Sequence, residues 1–488
     1  MAISAGRLPI RRLTGSMNSM KNEPETERDF LKAWPSYEST RPLDALRAAE
    51  YSRLDLLRHT YLDYTGAGLN ASRQVREHLS LLESQVFGNP HSQNPTSATI
   101  TTLVEQCRRK VLDYFHASPE EYTVIFTPNA SGALKLVGEA YPFGPDSHYL
   151  LTFDNHNSVN GIREFARRHH ATITYVPLTL PEMRVDDDAL QEYFKLARPN
   201  SHNLFAYPAQ SNFSGVQHPL EWISRAQAMG WDVLLDSAAF VPTNRLDVDQ
   251  WRPDFVTISF YKMFGYPTGV GCLLAARRAL LKLQRPWFSG GTITVASVQG
   301  DRHFLAEGAS AFEDGTPDYL GIPAVEIGLR HLESVGLELI HTRCLCLAAW
   351  TIQQLLSLNH RNGRPLVRVY GPLDGQRRGA TVAMNLYDSA DGIIDHLRVE
   401  EAAAKQQISL RSGCFCNPGG GETALRLSKS ELIGCFSQHQ KENPRFTQED
   451  FRQCVDSKGT GAVRISLGIV SNFDDVRRFV EFAREFLD

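Results

Sequence analysis

Apolar and polar positions alternate with two different periods along this chain. From Pro42 to His59, Leu43, Leu46, Tyr51, Leu54 and Leu57 recur at helical spacing, which predicts a helix turning that stripe toward a core. The run TYLDYT follows as a short strand. Between Tyr122 and Ala275 the apolar runs YTVIFT, HYLLTF, TITYVP, LFAYPA, DVLLDS, FVTISF and GVGCLLA are separated by amphipathic stretches. Short strands that are apolar throughout, with helices between them, predict an α/β layer whose mostly parallel sheet is covered on both faces.

The pattern changes in the last third. Helical stretches (IPAVEIGLRHLESVG and the run from Thr342 to Leu358) precede the strand candidates LVRVYG and TVAMNL, and a helix from about Phe473 to Leu487 closes the chain. The segment 421–460 is a polar insertion without a readable period. These shifts divide the chain into a tail, 1–41, expected to be disordered, a large domain, 42–320, and a smaller α+β domain, 321–488.

Charge narrows the choice of partner. Across 488 residues, 51 basic and 55 acidic side chains leave a net charge of −4, and no long single-sign block argues for nucleic acid or an anionic membrane. No apolar run reaches the roughly 18 residues that span a bilayer, and the start has no apolar core of signal-peptide length. A small-molecule partner and a cytoplasmic location follow. Arg7, Arg11, Arg12 and Lys21 precede the first acid, Glu23, which is also compatible with a mitochondrial presequence.

Eight cysteines in a chain of this length do not make a disulfide framework. Cys344 and Cys346 lie in an apolar helical run and read as small buried hydrophobes. Cys414 and Cys416 lie among the loop formers of RSGCFCNPGGG. Neither pair has the second Cys or His pair of a structural zinc site.

Ligands of open α/β sheets collect at the carboxyl ends of strands, and four features fall there. PNASGALKLVGEA opens a helix on small residues after YTVIFT, so that backbone N–H groups and the helix dipole can hold a phosphate. His156 follows HYLLTF, Asp236 ends DVLLDS, and Lys262 follows FVTISF with Ser259 and Tyr261 beside it. Singly, a Gly/Ser turn, a lone histidine and a strand-end carboxylate have ordinary structural explanations. Together, a phosphate cradle, an imidazole to stack on a ring, a carboxylate for a pyridine nitrogen and a lysine amine for a Schiff base are the parts that hold pyridoxal 5'-phosphate.

The motifs YLDYTGAG, GNPHSQNPTS, YTVIFTPNASGALKLVGEA, YPAQSNFSG, ISFYKMFGYPTGVG, GCFCNPGG and GAVRISLGIVSNFDDV occur in that order. In them the chain resembles class V pyridoxal-phosphate enzymes of the cysteine desulfurase type, and most of all the amino-terminal domain of eukaryotic molybdenum cofactor sulfurases. The resemblance implies the two-domain, aspartate-aminotransferase-like fold type I. It makes Lys262 the Schiff-base lysine, Asp236 the partner of the pyridinium nitrogen and His156 the stacked ring that assists proton transfer. Ala130, Ser131, Ser259 and Tyr261 would hold the phosphate, and Asn212 would touch the ring hydroxyl or the substrate. Thr292 would reach the cofactor phosphate of a neighbouring subunit, implying a homodimer.

Arg411 and Arg464 match the arginines that grip a substrate α-carboxylate, and Cys416 matches the nucleophile that takes sulfur from L-cysteine as a persulfide with release of alanine. Asn417, Pro418 and the glycines after them are expected to make its loop flexible. Cys414 either resolves the persulfide as a disulfide or packs. The sulfur acceptor, a protein or a small molecule, stays open. Ala239 and Tyr261 depart from the bacterial desulfurases, which usually place Gln or His at the first position and His at the second, but they match the sulfurase subgroup. Because the resemblance stops at Asp488, the expected unit is the sulfur-mobilising half alone. Two alternatives stand beside this reading: a repurposed class V enzyme performing transamination, C–S lysis or decarboxylation on another amino acid, and a non-catalytic binding partner.

Overall fold

The computed structural model describes residues 26–90, 92–442, 445–454 and 459–488. A seven-stranded sheet forms its centre, in the spatial order Tyr122–Thr127, Gly271–Ala276, Phe255–Ser259, Asp232–Asp236, Asn203–Pro208, His148–Thr152, Thr172–Val176. Six strands run parallel and Gly271–Ala276 runs against them. All seven are the expected apolar runs. Their side chains on both faces are mostly buried because helices cover the sheet on either side, which is why these runs lack the alternation of a one-sided sheet.

A second sheet of four antiparallel strands has the order Val367–Tyr370, Thr381–Leu386, Ala462–Ser466, Arg411–Gly413. Its register sets Arg411 directly opposite Arg464. The long helices Ile322–Val335 and Leu337–Leu356 and the closing helix Phe473–Arg484 accompany it. Cys344 and Cys346 are buried on the second of these. Burial pushes the Cys344 thiol up to about 12, so it packs as a hydrophobe.

Two expectations need correction, and one segment without a readable period acquires a structure. Of the tail, residues 1–25 lie outside the described residues, but Glu27–Ala33 is a helix and Pro35–Thr40 a 3-10 turn. Phe30 is fully buried, stacked on Phe473 at 4.7 Å and edge-on to Trp350 at 6.0 Å. Arg343, also buried, donates to Asp44 Oδ1 at 2.6 Å and lies over the Tyr37 ring. Folded structure is therefore present before residue 42, and this segment packs on elements of the last third. Thr60–Tyr61 pairs with Ile408–Ser409 in the same way.

The helix expected over 42–59 divides into Pro42–Glu50 and Arg53–Leu56. Leu43, Tyr51 and Leu54 are buried as the stripe requires, but the break at Tyr51 resets the helical phase and leaves Leu57 exposed. Finally, the polar insertion folds as helices Lys429–Glu442 and Gln448–Cys454. These turn back on each other and bring Cys435 within disulfide distance of Cys454, a bridge that cysteine spacing did not reveal.

Candidate active site

The carboxyl ends of the parallel strands surround a cavity of about 290 Å³. Its wall includes Ala130, Ser131, His156, Asn212, Asp236, Ser259, Tyr261 and Lys262, so eight expected residues from five strand ends share one space. The route by which each arrives is local. Phe255–Ser259 delivers Lys262 on the first turn of the helix Phe260–Phe264, and the neighbouring strand Asp232–Asp236 ends on Asp236.

Asp236 is buried, and its Oδ1 accepts from the Ala238 N–H at 3.1 Å and the Thr257 hydroxyl at 3.3 Å. The other oxygen can meet a protonated ring nitrogen. Desolvation pulls the Lys262 ammonium below its ordinary range, and the opposing charge of Asp236 only partly restores it. Burial likewise depresses His156. Its Nδ1 accepts from the Ser158 N–H at 3.1 Å, so the neutral ring carries its proton on Nε2.

The phosphate end sits at the start of the helix Ala130–Ala140, where the Asn129 side chain caps the Gly132 N–H at 2.9 Å. The Ser259 hydroxyl accepts from the Ala130 N–H at 3.1 Å, and the Ser131 hydroxyl pairs with that of Ser158 at 2.6 Å. Hydroxyls and a helix N-terminus at one end, with a carboxylate and an amine deeper in, fit pyridoxal phosphate.

Beside this cavity lies the Cys416 loop, and the expectation of flexibility is corrected. The carbonyls of Cys414, Phe415 and Cys416 accept from Asn417 N (2.9 Å), Asn212 Nδ2 (2.7 Å) and Asn157 N (2.6 Å). Asn417 Nδ2 bonds Asp154 O and Asn212 Oδ1. Phe415 packs on Phe213 and under the Arg464 guanidinium, 4.6 Å away. The glycines form part of a helix, Pro418–Ala424, and allow close approach instead: a Cβ on Gly419 would collide with the Phe153 carbonyl. Phe415 and Cys416 both have positive φ, 56° and 55°, a backbone costing about 1–2 kcal/mol per residue that the surrounding bonds must offset. The result is a held loop with its thiol exposed.

Arg411 and Arg464 line no part of the cavity wall itself, but Asp63 joins them. It accepts from Arg411 Nε at 3.0 Å and from Arg464 Nη2 at 3.1 Å. Asp63 was missed in the sequence, although the argument that a buried carboxylate needs a cation applies to YLDYTGAG as well as to DVLLDS. Gly66 is its companion, since a Cβ there would lie 2.5 Å from the Asp63 carboxylate and 2.6 Å from Arg411. Thr292 lies outside the cavity, its hydroxyl donating to the Ser289 carbonyl at 2.8 Å. Cys414 is exposed.

The molybdenum cofactor sulfurase of Arabidopsis thaliana is 35% identical over 93% of this chain and 60% of its own length, and that of Homo sapiens is 37% identical over 90% and 51%. The chain thus spans between half and three fifths of these relatives. A cysteine desulfurase from Thermococcus onnurineus NA1 superposes with a TM-score of 0.74 at 22% identity, covering 91% of this chain and 98% of that one. A cysteine desulfurase from Escherichia coli gives 0.71 at 20%, covering 91% and 99%. These two solved structures share the fold, and the model of the class-V aminotransferases matches residues 60–479. The chain belongs to the class-V aminotransferase family.

Proposed function

We propose that this chain is a pyridoxal-phosphate-dependent cysteine desulfurase that moves sulfur from L-cysteine to Cys416. The observation that carries the reading is the meeting of a desolvated Lys262, Asp236 and His156 in one cavity, with the held Cys416 loop beside it.

When bound, pyridoxal phosphate supplies an electron sink conjugated to the substrate α-carbon. Lys262 would anchor it and, as a free amine, would take the α-proton of the substrate; desolvation keeps a larger share of that amine uncharged. Asp236 would hold the proton at the ring nitrogen. His156, neutral with hydrogen on Nε2, would stack on the ring and pass a proton at that atom. The Ser131 hydroxyl and N–H at the start of the helix Ala130–Ala140, with Ser259 and Tyr261 beside them, would bind the phosphate, while Arg411 and Arg464 would orient the α-carboxylate. The Cys416 thiolate then attacks the substrate sulfur. One C–S bond breaks, one S–S bond forms, the carbon keeps the electron pair and takes a proton, and cysteine leaves as alanine.

A second copy completes the unit. The hairpin of Ile293–Ser297 with Arg302–Leu305 presents Val295, Val298 and Phe304 to solvent, flanked by exposed Trp287 and Phe288. An apolar patch of this kind supports a homodimer, with Thr292 at its base; light scattering at twice the monomer mass is the expected result.

The decisive experiment treats wild type and Cys416→Ser with L-cysteine and a reductant, following sulfide and alanine together. Equal yields from wild type, lost in the variant while the yellow cofactor absorbance stays, support the proposal. Undiminished turnover by Cys416→Ser overturns it in favour of chemistry that needs no persulfide.

A further inference from the structure

Two arginines face each other across the small sheet, an arrangement that is destabilising when like charges are directly opposed. Asp63 resolves it. Its Oδ2 accepts from Arg411 Nε and Nη2, and its Oδ1 from Arg464 Nη2. Both Asp63 and Arg464 are more than nine-tenths buried.

The backbone that carries this carboxylate is tied into the sheet. Asp63 bridges Ser466, the Ser466 N–H donates to Leu62 O at 2.8 Å, and the Thr65 N–H donates to Ser466 Oγ at 2.8 Å. The sheet thus places Asp63 between both arginines. Two guanidiniums and one carboxylate leave a single net positive charge.

Arg411, with half of its side chain exposed, keeps donors open to an incoming anion. Arg464 spends Nη1 on the Asn212 carbonyl at 2.9 Å, but its buried Nε has no partner among the described residues. Burial pulls the Arg464 guanidinium down to about 10, and Asp63 opposes that fall, so the carboxylate also keeps this arginine charged.

We propose that Asp63 sets the charge class of the substrate: by neutralising one of the two arginines, it makes the site select amino acids with one carboxylate over those with a second anionic group. This rests on the reading that Arg411 and Arg464 receive the α-carboxylate. Asp63 acts through the arginines and is a positioning and specificity-determining residue.

The test uses holoenzyme and two ligands differing by one carboxylate, propionate and succinate, as inhibitors of alanine release from L-cysteine. The ratio of their inhibition constants does not depend on how much enzyme is active, so a merely structural loss leaves it alone. In Asp63→Asn the ratio is expected to move toward succinate by about tenfold or more, and Asp63→Glu to return it toward the wild-type value. A ratio unchanged in Asp63→Asn, whether or not both constants move together, overturns the proposal while leaving the carboxylate clamp standing. If neither anion competes with cysteine in wild type, or Arg464→Gln leaves both constants as they were, the clamp itself fails and the proposal with it.

Discussion

Lys262, Asp236 and His156 each enter the cavity within a few residues of the end of a central strand, whereas Asp63 and Arg464 form their bond across 401 residues of chain. The cofactor pocket is therefore carried by a sheet that exists for its own packing reasons. The clamp exists only when the segment around Asp63 docks on the small sheet. The Asn212 side chain belongs to both: it lines the cavity and ties down the Cys416 loop. Cofactor binding and substrate selection should accordingly respond to different substitutions.

The largest effect is expected from Lys262→Ala, which strikes the pocket. Loss of the anchor and the general base should cut alanine release by about 1,000-fold or more and abolish the visible band of the cofactor–lysine linkage. An unchanged spectrum would remove Lys262 from its role. Asn212→Ala strikes the junction instead. It deletes the bonds to the Phe415 carbonyl and to Asn417, worth about 1–3 kcal/mol. A roughly tenfold fall in kcat/KM for cysteine with the visible band intact would separate loop from pocket. A band lost in proportion would show that the two regions are one.

The smallest effect concerns stability. Lys262 titrates below the ordinary lysine value of 10.5 in the folded chain, because desolvation disfavours its charge. In the pH window between the folded and unfolded values the unfolded chain binds more protons, so wild-type stability rises with pH there. Cofactor-free Lys262→Met lacks that dependence. It should melt higher than cofactor-free wild type near neutral pH, with the gap closing as pH approaches 10.5. A gap that stays constant with pH would mean the amine is well solvated.

The legible part of the site was the part written beside strands. Ser259 to Lys262 could be found because a charged side chain interrupts an apolar run, and Ala130 with Ser131 because small residues open an amphipathic helix. The Cys416 loop was found but misjudged, since glycine and proline signal both mobility and close packing. Only contacts from distant segments decide between them, Phe153 and Phe213 pressed against Gly419 and Gly420 and the bonds from Asn157 and Asn212 to the loop carbonyls. The Cys435–Cys454 bridge was hidden for a related reason: a helical turn-back inside a polar segment leaves no periodic trace.

By itself, the sequence determined the central sheet, its covering by helices and the chemical inventory at its strand ends, because periodicity and burial cost act over a few residues. The tertiary structure alone decided that the segment from Glu27 folds and packs on the last third, that the thiol loop is held, and that Asp63 stands between two opposed arginines. Those outcomes depend on contacts between segments distant in the chain, where a buried charge reveals that it needs a partner but not which one.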